Sequence, residues 1–457
     1  MTTFDVVVIG AGTGGQTAAH DLAAEGWSVA VVEESRRPGG VCALAGCQAK
    51  KYFYEVAEIM ARSRHLAGKG IQRPPLADWG EIENHKRRFT SQVPESTVKY
   101  LKAAGITFFQ EPAAFVDDAT LRVGDRTIQA RYYVVATGAR PMDLPFEGRE
   151  HLLTSDNFLD LGRLPERLVF VGGGFISFEF AHFAARLGGP ETTVTILEAA
   201  DRPLGPFDAE MVEYLSAASA EDGITIRSGI RIEAIARTSS GYEIRLASGE
   251  TMAADLIVHG AGRVPRLDGL NPAAAGIDST TRGIAVDAYM RTSNPRVFAV
   301  GDCAATIQLA RVADAEAHVA AAAITAELKS TASSGQMDYS ATPFLLFTYP
   351  QYGMIGQTET ALAEAGHTFY TSRGNRLGYP TYRRVGLRHA AFKIMVDSDN
   401  RLLGAHILSD NAAGLINTFH LAMENDIRAD TLYRQHIMSP YPSRESDLIY
   451  MLEPFHD

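Results

Sequence analysis

Asp5-Val-Val-Val-Ile9, Gly10-Ala-Gly-Thr-Gly-Gly15 and, after an alanine-rich stretch, Val29-Ala-Val-Val-Glu33 decide the fold of this 457-residue chain. The β-branched run reads as a buried strand, the glycines as a turn, the alanine-rich stretch as a helix and the second apolar run as another strand. Strand, glycine turn, helix, strand is a βαβ unit. Gly10, Gly12 and Gly15 have the spacing that lets the backbone turn tightly and approach a pyrophosphate at a helix N-terminus. Glu33 follows Gly12 by 21 residues and ends the second strand, where a carboxylate accepts hydrogen bonds from ribose hydroxyls. A glycine triplet alone makes a tight turn just as well; the strand before it and the acid after it point to a dinucleotide.

A second copy begins about 160 residues later, with Leu168-Val-Phe-Val171, Gly172-Gly-Gly-Phe-Ile-Ser177, a helix through Ala185 and the strand Val194-Thr-Ile-Leu197. Gly172 and Gly174 occupy the first two glycine positions, and Ser177 takes the third, where a small residue still permits close helix packing. Glu198 ends the second strand; there a carboxylate bonds the adenosine ribose of NAD and repels the 2′-phosphate of NADP, so NADH is the expected nucleotide. A solvated strand-end acid is the alternative. Short strands are expected between the two units, ending in Tyr133-Val-Val-Ala-Thr-Gly138, and again after the second, in Gly241-Tyr-Glu-Ile-Arg-Leu246 and Leu256-Ile-Val-His-Gly260. The second unit reads as an insertion into the first domain, to which Val297-Phe-Ala-Val-Gly-Asp302 returns as a strand followed by a helix from about Asp314 to Leu328. Residues 330–335 read as a linker. The rest, 341–457, mixes strands and helices with its own core.

Forty-three basic against 54 acidic residues give a formal charge of −11 without long runs of one sign, which offers no footprint for nucleic acid or an anionic membrane. No apolar run approaches a membrane span. Three cysteines, Cys42, Cys47 and Cys303, are too few for a secreted disulfide framework, so a reducing compartment, the cytoplasm, is expected. The start also lacks the pattern of a signal peptide.

Two of those cysteines lie in Gly39-Gly-Val-Cys-Ala-Leu-Ala-Gly-Cys-Gln-Ala-Lys-Lys51. Four residues apart, after a glycine pair and entering a helix whose N-terminus stabilises a thiolate, they suit reversible disulfide chemistry. A structural metal pair has closer spacing and a second pair elsewhere, so no metal is expected.

With these segments on view, the chain resembles the class I pyridine nucleotide-disulfide oxidoreductase family, which includes dihydrolipoamide dehydrogenase, glutathione reductase and mercuric reductase. Further matches are Ala136-Thr-Gly138, Gly260-Ala-Gly-Arg263, Val300-Gly-Asp302, Phe347-Thr-Tyr-Pro350 and Gly404-Ala-His-Ile407. The resemblance implies an α/β fold of two Rossmann-like FAD- and NAD-binding domains plus a C-terminal α+β dimerisation domain. By it, residues 1–147 and 270–335 would form the FAD domain, 148–269 the inserted NAD domain and 336–457 the interface through which a homodimer completes its active sites.

The resemblance also implies roles. Gly10, Gly12, Gly15, Glu33, Gly40, Thr137, Gly138, Gly301 and Asp302 would hold FAD, with Asp302 on the ribityl chain. Gly172, Gly174, Phe175, Glu198 and Gly262 would serve the nicotinamide nucleotide, Phe175 covering its pocket. Cys47 would lie by the flavin and Cys42 exchange with substrate, while Lys51 would sit by the flavin and pair with Glu179. Cys303 has no partner in this scheme and reads as a small packing residue.

One segment departs from the family. Disulfide reductases carry a histidine-proline and a nearby glutamate close to the C-terminus, whereas this chain has Ser439-Pro-Tyr-Pro-Ser-Arg-Glu-Ser446, with Tyr441 in the histidine's place and Glu445 next to Ser446. A phenol with pKa about 10 is a poor resting base near neutral pH but still a hydrogen-bond or proton donor. His436 is an alternative base, with packing its other reading. The expected function is hydride transfer from NADH through flavin to the Cys42–Cys47 disulfide and on to a small or carrier-bound disulfide, or the reverse. Rival readings are a reductase of metal ions, quinones or oxidants, and a redox-sensing or electron-transfer subunit of a larger complex.

Overall fold

The computed structural model describes residues 2–333 and 335–456. Ser334, within the expected linker, lies outside them, as do Met1 and Asp457. Two compact units form, Met1–Lys51 with Asn84–Met142 and Gly262–Tyr339, and Tyr52–Glu83 with Asp143–Ala261 and Ser340–Asp457.

The first unit is built on the opening motif. Strand β1 (Thr2–Ile9) pairs in parallel with β2 (Val29–Val32) on one side and with β6 (Arg126–Val135) on the other. Val6, Val7 and Val8 are fully buried, which is why this strand reads as a continuous apolar run instead of an alternating one. The sheet continues through β3 (Thr107–Phe109) beyond β2 and through β5 (Thr120–Val123) and β4 (Ala113–Phe115) beyond β6. The returning strand, Val297–Ala299, pairs in parallel with the last three residues of β6. Helix α1 (Thr13–Ala24) lies along the helix Ala310–Lys329, joined by Thr17 Oγ1 donating to Asp314 Oδ1 at 2.8 Å and Trp27 Nε1 donating to Thr325 Oγ1 at 3.3 Å. That second helix starts at Ala310, earlier than the sequence pattern suggests, because Leu309 in an extended conformation precedes it and Ala313 N–H already bonds the Leu309 carbonyl. A ribbon of Ala139–Pro141 and Arg263–Pro265 marks where the chain leaves this unit and re-enters it.

The short strands expected between the two glycine motifs are those from Thr107 to Val135; residues 47–103 before them are helical instead. They form three long helices, Cys47–His65 (α3, following the short α2, Gly40–Leu44), Trp79–Thr90 and Val93–Ala103. In the middle one the inward positions are Trp79, Ile82, Glu83, Lys86 and Thr90, so charged and polar residues occupy the buried face and hide the helical period from an apolar count.

The second unit holds two sheets of different kinds. Arg167–Val171, Thr193–Leu197, Ile224–Arg227 and Leu256–His259 form a four-stranded parallel sheet, with the helix Phe175–Leu187 packed almost wholly inside. An antiparallel meander, Ile232–Thr238, Gly241–Leu246 and Thr251–Ala254, follows. The C-terminal part is a five-stranded antiparallel sheet in the order Phe344–Leu346, Gln351–Gly356, Leu402–Ser409, Ala391–Val396 and Tyr370–Gly374, packed on the helix Ala412–Glu424. No helix among the described residues is long and apolar enough to cross a membrane.

Candidate active site

In the first unit the glycine turn is a fitted cradle. A Cβ on Gly10 would stand 2.2 Å from the Ala136 carbonyl oxygen, and one on Gly15 would stand 2.0 Å from the Gly10 oxygen, so both positions exclude any side chain. At Gly12 the nearest atom to such a Cβ is the Cα of Gly40, 3.7 Å away, which leaves the N-terminus of α1 open to a ligand. Glu33 does more than the sequence suggests: Oε2 accepts the Ala11 N–H and Oε1 the Ser35 N–H, each at 2.8 Å. The carboxylate therefore braces the glycine loop while each oxygen keeps a lone pair for a ribose hydroxyl.

Around this cradle, the Thr137 hydroxyl is buried beside the Cys303 thiol, and Gly138 and Gly262 turn the chain with φ of +70° and +114°. Cys303 is fully buried and donates to the carbonyls of Val135 and Val300, and burial pushes its thiol up to about 11, as suits a packing residue. Gly301 and Asp302 form a 3₁₀ turn after the returning strand. Burial raises the Asp302 carboxyl while Arg263 opposes that rise.

Cys42 sits in α2 and Cys47 is the first residue of α3. Both are thiols, hydrogen-bonded to each other. That bond is the main cause holding the Cys42 proton far above the ordinary thiol range; burial adds to it, and a hydrogen bond with Thr13 pulls the other way. In such a pair the second proton is held harder than the first. The α3 N-terminus favours a thiolate at Cys47. Lys51 lies one turn further along α3 with its ammonium buried.

The second unit repeats the nucleotide geometry. Gly174 caps the helix that begins at Phe175, which is 46% exposed. Ser177 is buried, and a Cβ on Gly260 would stand 1.9 Å from its hydroxyl oxygen, the close packing a small third residue permits. Glu198 accepts the Gly173 N–H with Oε2 and the Ala200 N–H with Oε1, the arrangement found at Glu33. Gly172 has φ of +95°. Glu179 is buried and its Oε1 accepts the Phe347 N–H at 3.0 Å.

Tyr441 is 74% exposed. It borders a cavity of about 420 Å³ shared with Tyr379, Thr381, Asp447, Tyr450 and Glu453. Sequence reading missed these neighbours because Tyr379 and Thr381 lie some sixty residues before Tyr441, and no local pattern joins them. Burial raises the Asp447 carboxyl, against the pull of a hydrogen bond from Thr381. His436 is half-buried, bonded through Nδ1 to Ser439 Oγ at 2.8 Å, and burial lowers its pKa. Glu445 accepts from Asn411 Nδ2 at 2.6 Å. Among the described residues no group of three or more His, Cys, Asp or Glu side chains is placed to hold a metal ion.

Two nucleotide cradles with a paired dithiol against the first one make a specific combination, and comparison with known proteins gives it a family. Residues 4–317 match the pyridine nucleotide-disulphide oxidoreductase family, and residues 342–447 match its dimerisation domain. The chain belongs to this family. It is 27% identical to the dihydrolipoyl dehydrogenase of Bacillus subtilis over 457 residues, covering 97% of this chain and 96% of that protein. To the glutathione reductase of Burkholderia cepacia it is 30% identical over 434 residues, 92% of each. Among solved structures, the Cu(II) complex of the HOCl-induced flavoprotein disulfide reductase RclA from Escherichia coli superposes with a TM-score of 0.88 at 25% identity, covering 99% of this chain and all of that one. This family member is an FAD-dependent NAD(P)H-disulfide oxidoreductase with the expected fold of FAD, NAD and dimerisation domains. The open N-terminus of α1 above Gly12 and the braced Glu33 fit FAD. The matching turn at Gly174 and Glu198 fits the nicotinamide nucleotide.

Proposed function

We propose that the enzyme passes electrons between NADH and a small or carrier-bound disulfide through the Cys42–Cys47 pair. The observation that carries this is the hydrogen-bonded dithiol spanning α2 and the start of α3, beside the Gly12 cradle. FAD, held by Gly10, Gly12, Gly15, Glu33, Gly40, Thr137, Gly138, Gly301 and Asp302, supplies the two-electron link between nicotinamide and thiols. Cys42 attacks one sulfur of the substrate disulfide, forming a mixed disulfide and releasing the first thiol. Cys47 then attacks Cys42, closing the protein disulfide and releasing the second thiol. The two thiol protons of the pair end on the two product sulfurs, and run backwards the same steps oxidise a dithiol. In this reading Lys51 and Glu179 pair as an ionic support, Phe175 covers the nicotinamide, and the Tyr441 hydroxyl relays a proton, giving its own to the leaving sulfur and taking back one of the two from the thiol pair. Glu198, with its carboxylate at the strand end, supports NADH over NADPH, and the scarcity of cysteines supports a cytoplasmic location.

Replacing Cys42 by Ser tests the relay. Disulfide reduction should vanish while NADH still bleaches the flavin under anaerobic conditions; undiminished turnover on the disulfide refutes it. A second reading has one specific support, the likeness to a flavoprotein disulfide reductase solved with Cu(II). A panel of lipoamide, glutathione disulfide, quinones, and copper and mercury salts separates the two, since activity confined to the metal salts or quinones would overturn the disulfide assignment.

A further inference from the structure

A buried acid that the dithiol chemistry does not use lies directly under the Gly301–Asp302 turn. Val300 N–H still bonds the Val135 carbonyl, continuing the parallel ladder of the returning strand. One residue on, the Gly301 N–H points away from β6, because Val300 is still extended and successive residues of a strand face opposite neighbours; Gly301 itself takes φ of +71° and ends the strand. That N–H donates to Oε2 of Glu316 at 2.6 Å. The other oxygen, Oε1, accepts the hydroxyl of Tyr339 at 2.8 Å. Glu316 is 0% exposed, on the inner face of the helix Ala310–Lys329.

A carboxylate is expensive to bury, and the Gly301 N–H, the Tyr339 hydroxyl and the Thr306 hydroxyl beside them offset only part of that cost. Here it also lies in the field of a second carboxyl, Asp302, the residue next to the Gly301 it holds. An apolar side chain would be the easier occupant of a position wholly inside the helix packing. What Glu316 adds is a fixed acceptor for a backbone N–H that the sheet cannot satisfy, at the residue immediately before Asp302. Tyr339, at the end of the last segment of this unit, fixes the acceptor in turn.

We propose that Glu316 is the positioning residue of the ribityl-binding site: by anchoring the Gly301 N–H, with Tyr339 behind it, it sets the direction in which Asp302 presents its carboxylate to the FAD. This rests on the reading that Asp302 holds FAD. The role is one of geometry, so Glu316 acts through Asp302 and touches no reacting atom.

The experiment is FAD dissociation from the purified holoprotein, read by the rise in flavin fluorescence on dilution, for Glu316→Ala, Tyr339→Phe, Asp302→Ala and the two double variants containing Asp302→Ala. Glu316→Ala should weaken FAD by about tenfold and Tyr339→Phe by about threefold, the scale of losing a charge-assisted bond and its support. In the Asp302→Ala background both effects should disappear, because the group they orient is gone. A merely structural role would instead give effects that add to that of Asp302→Ala. Glu316→Gln, whose amide oxygen still accepts the Gly301 N–H, should stay close to the parent. Additive effects, or a Glu316→Ala protein that holds FAD as tightly as the parent, overturn the proposal while leaving Asp302 in place. If Asp302→Ala itself binds FAD normally, the reading of Asp302 fails instead. Should Glu316→Ala not fold, Tyr339→Phe decides, since unchanged FAD affinity in that variant overturns the anchoring role.

Discussion

At the scale of single residues, two side chains show how the loops set chemistry. The Thr13 hydroxyl bonds the Cys42 sulfur and lowers its pKa against the stronger upward pull of Cys47 and burial. Thr13→Val should therefore raise the Cys42 pKa, slowing iodoacetamide alkylation of the reduced enzyme at pH 7 by roughly threefold to tenfold. An alkylation profile that stays where it was would show that Thr13 has no such influence. Glu198 has both carboxylate oxygens on backbone N–H groups of its own loop. Glu198→Ala should thus lower kcat/KM with NADH through a looser loop and also remove repulsion of a 2′-phosphate. The NADH-to-NADPH ratio of kcat/KM is expected to fall by about tenfold or more, the worth of one charge-assisted contact. A ratio that does not move removes Glu198 from nucleotide selection.

Between elements, the joint of the second unit that merits testing is ionic. Lys393, in a central strand of the C-terminal sheet and 2% exposed, donates to Asp208 at 2.9 Å and to Glu210 and Glu359 at 2.8 Å. Asp208 also caps the helix Ala209–Glu221 by accepting the Met211 N–H, so one ammonium ties that helix to the sheet. Lys393→Met would leave three carboxylates facing each other with their common cation removed, and should cost about 3–5 kcal/mol, seen as a lower Tm. A Tm within error of the parent would mean that the cluster relaxes into solvent. Burial alone would raise the Glu210 carboxyl, but hydrogen bonds from Lys393 and Tyr214 and the charges of Lys393 and Arg373 outweigh it, so its folded pKa lies below the ordinary 4.5. A depressed carboxylate contributes stability that is present above that ordinary value and lost as pH falls through the folded one. Acid unfolding should accordingly lose part of its steepness below pH 4.5 in Glu210→Gln, measured by denaturant midpoints across that range.

At the scale of the whole molecule, exposed apolar side chains such as Ile59, Leu76 and Tyr100 are scattered through the earlier chain, and a group of five comes late in it: Leu421, Ile437, Met438, Tyr441 and Tyr450, with Met438 88% exposed. This group lies in the C-terminal part, most of which matches the family's dimerisation domain. Large apolar groups left in water mark association surfaces, so a homodimer is the expected state. Light scattering should give twice the chain mass of 49.5 kDa. Ile437→Asp with Met438→Glu should yield monomers that still bind FAD but turn over disulfide at least about tenfold more slowly, because a desolvated interface does not admit two carboxylates. A double variant that remains dimeric and active would place the interface elsewhere.

The sequence by itself determined the two nucleotide folds, the return of Val297–Ala299 to the first sheet and the cysteine pair, because each is a local signal: a strand followed by a glycine turn, an acid at a set distance, two cysteines entering a helix. Where buried positions carry charge the local signal failed. The helix Trp79–Thr90 is hidden by Glu83 and Lys86 on its inner face, and nothing in the sequence around Glu316 marks its oxygens as the acceptors for Gly301 and Tyr339. The setting of Tyr441 likewise emerged only in three dimensions, through Tyr379 and Thr381 brought beside it from far along the chain. Apolar period is written in neighbouring residues, whereas the partner of a buried polar group is chosen by packing across the fold, and only the tertiary structure decides it.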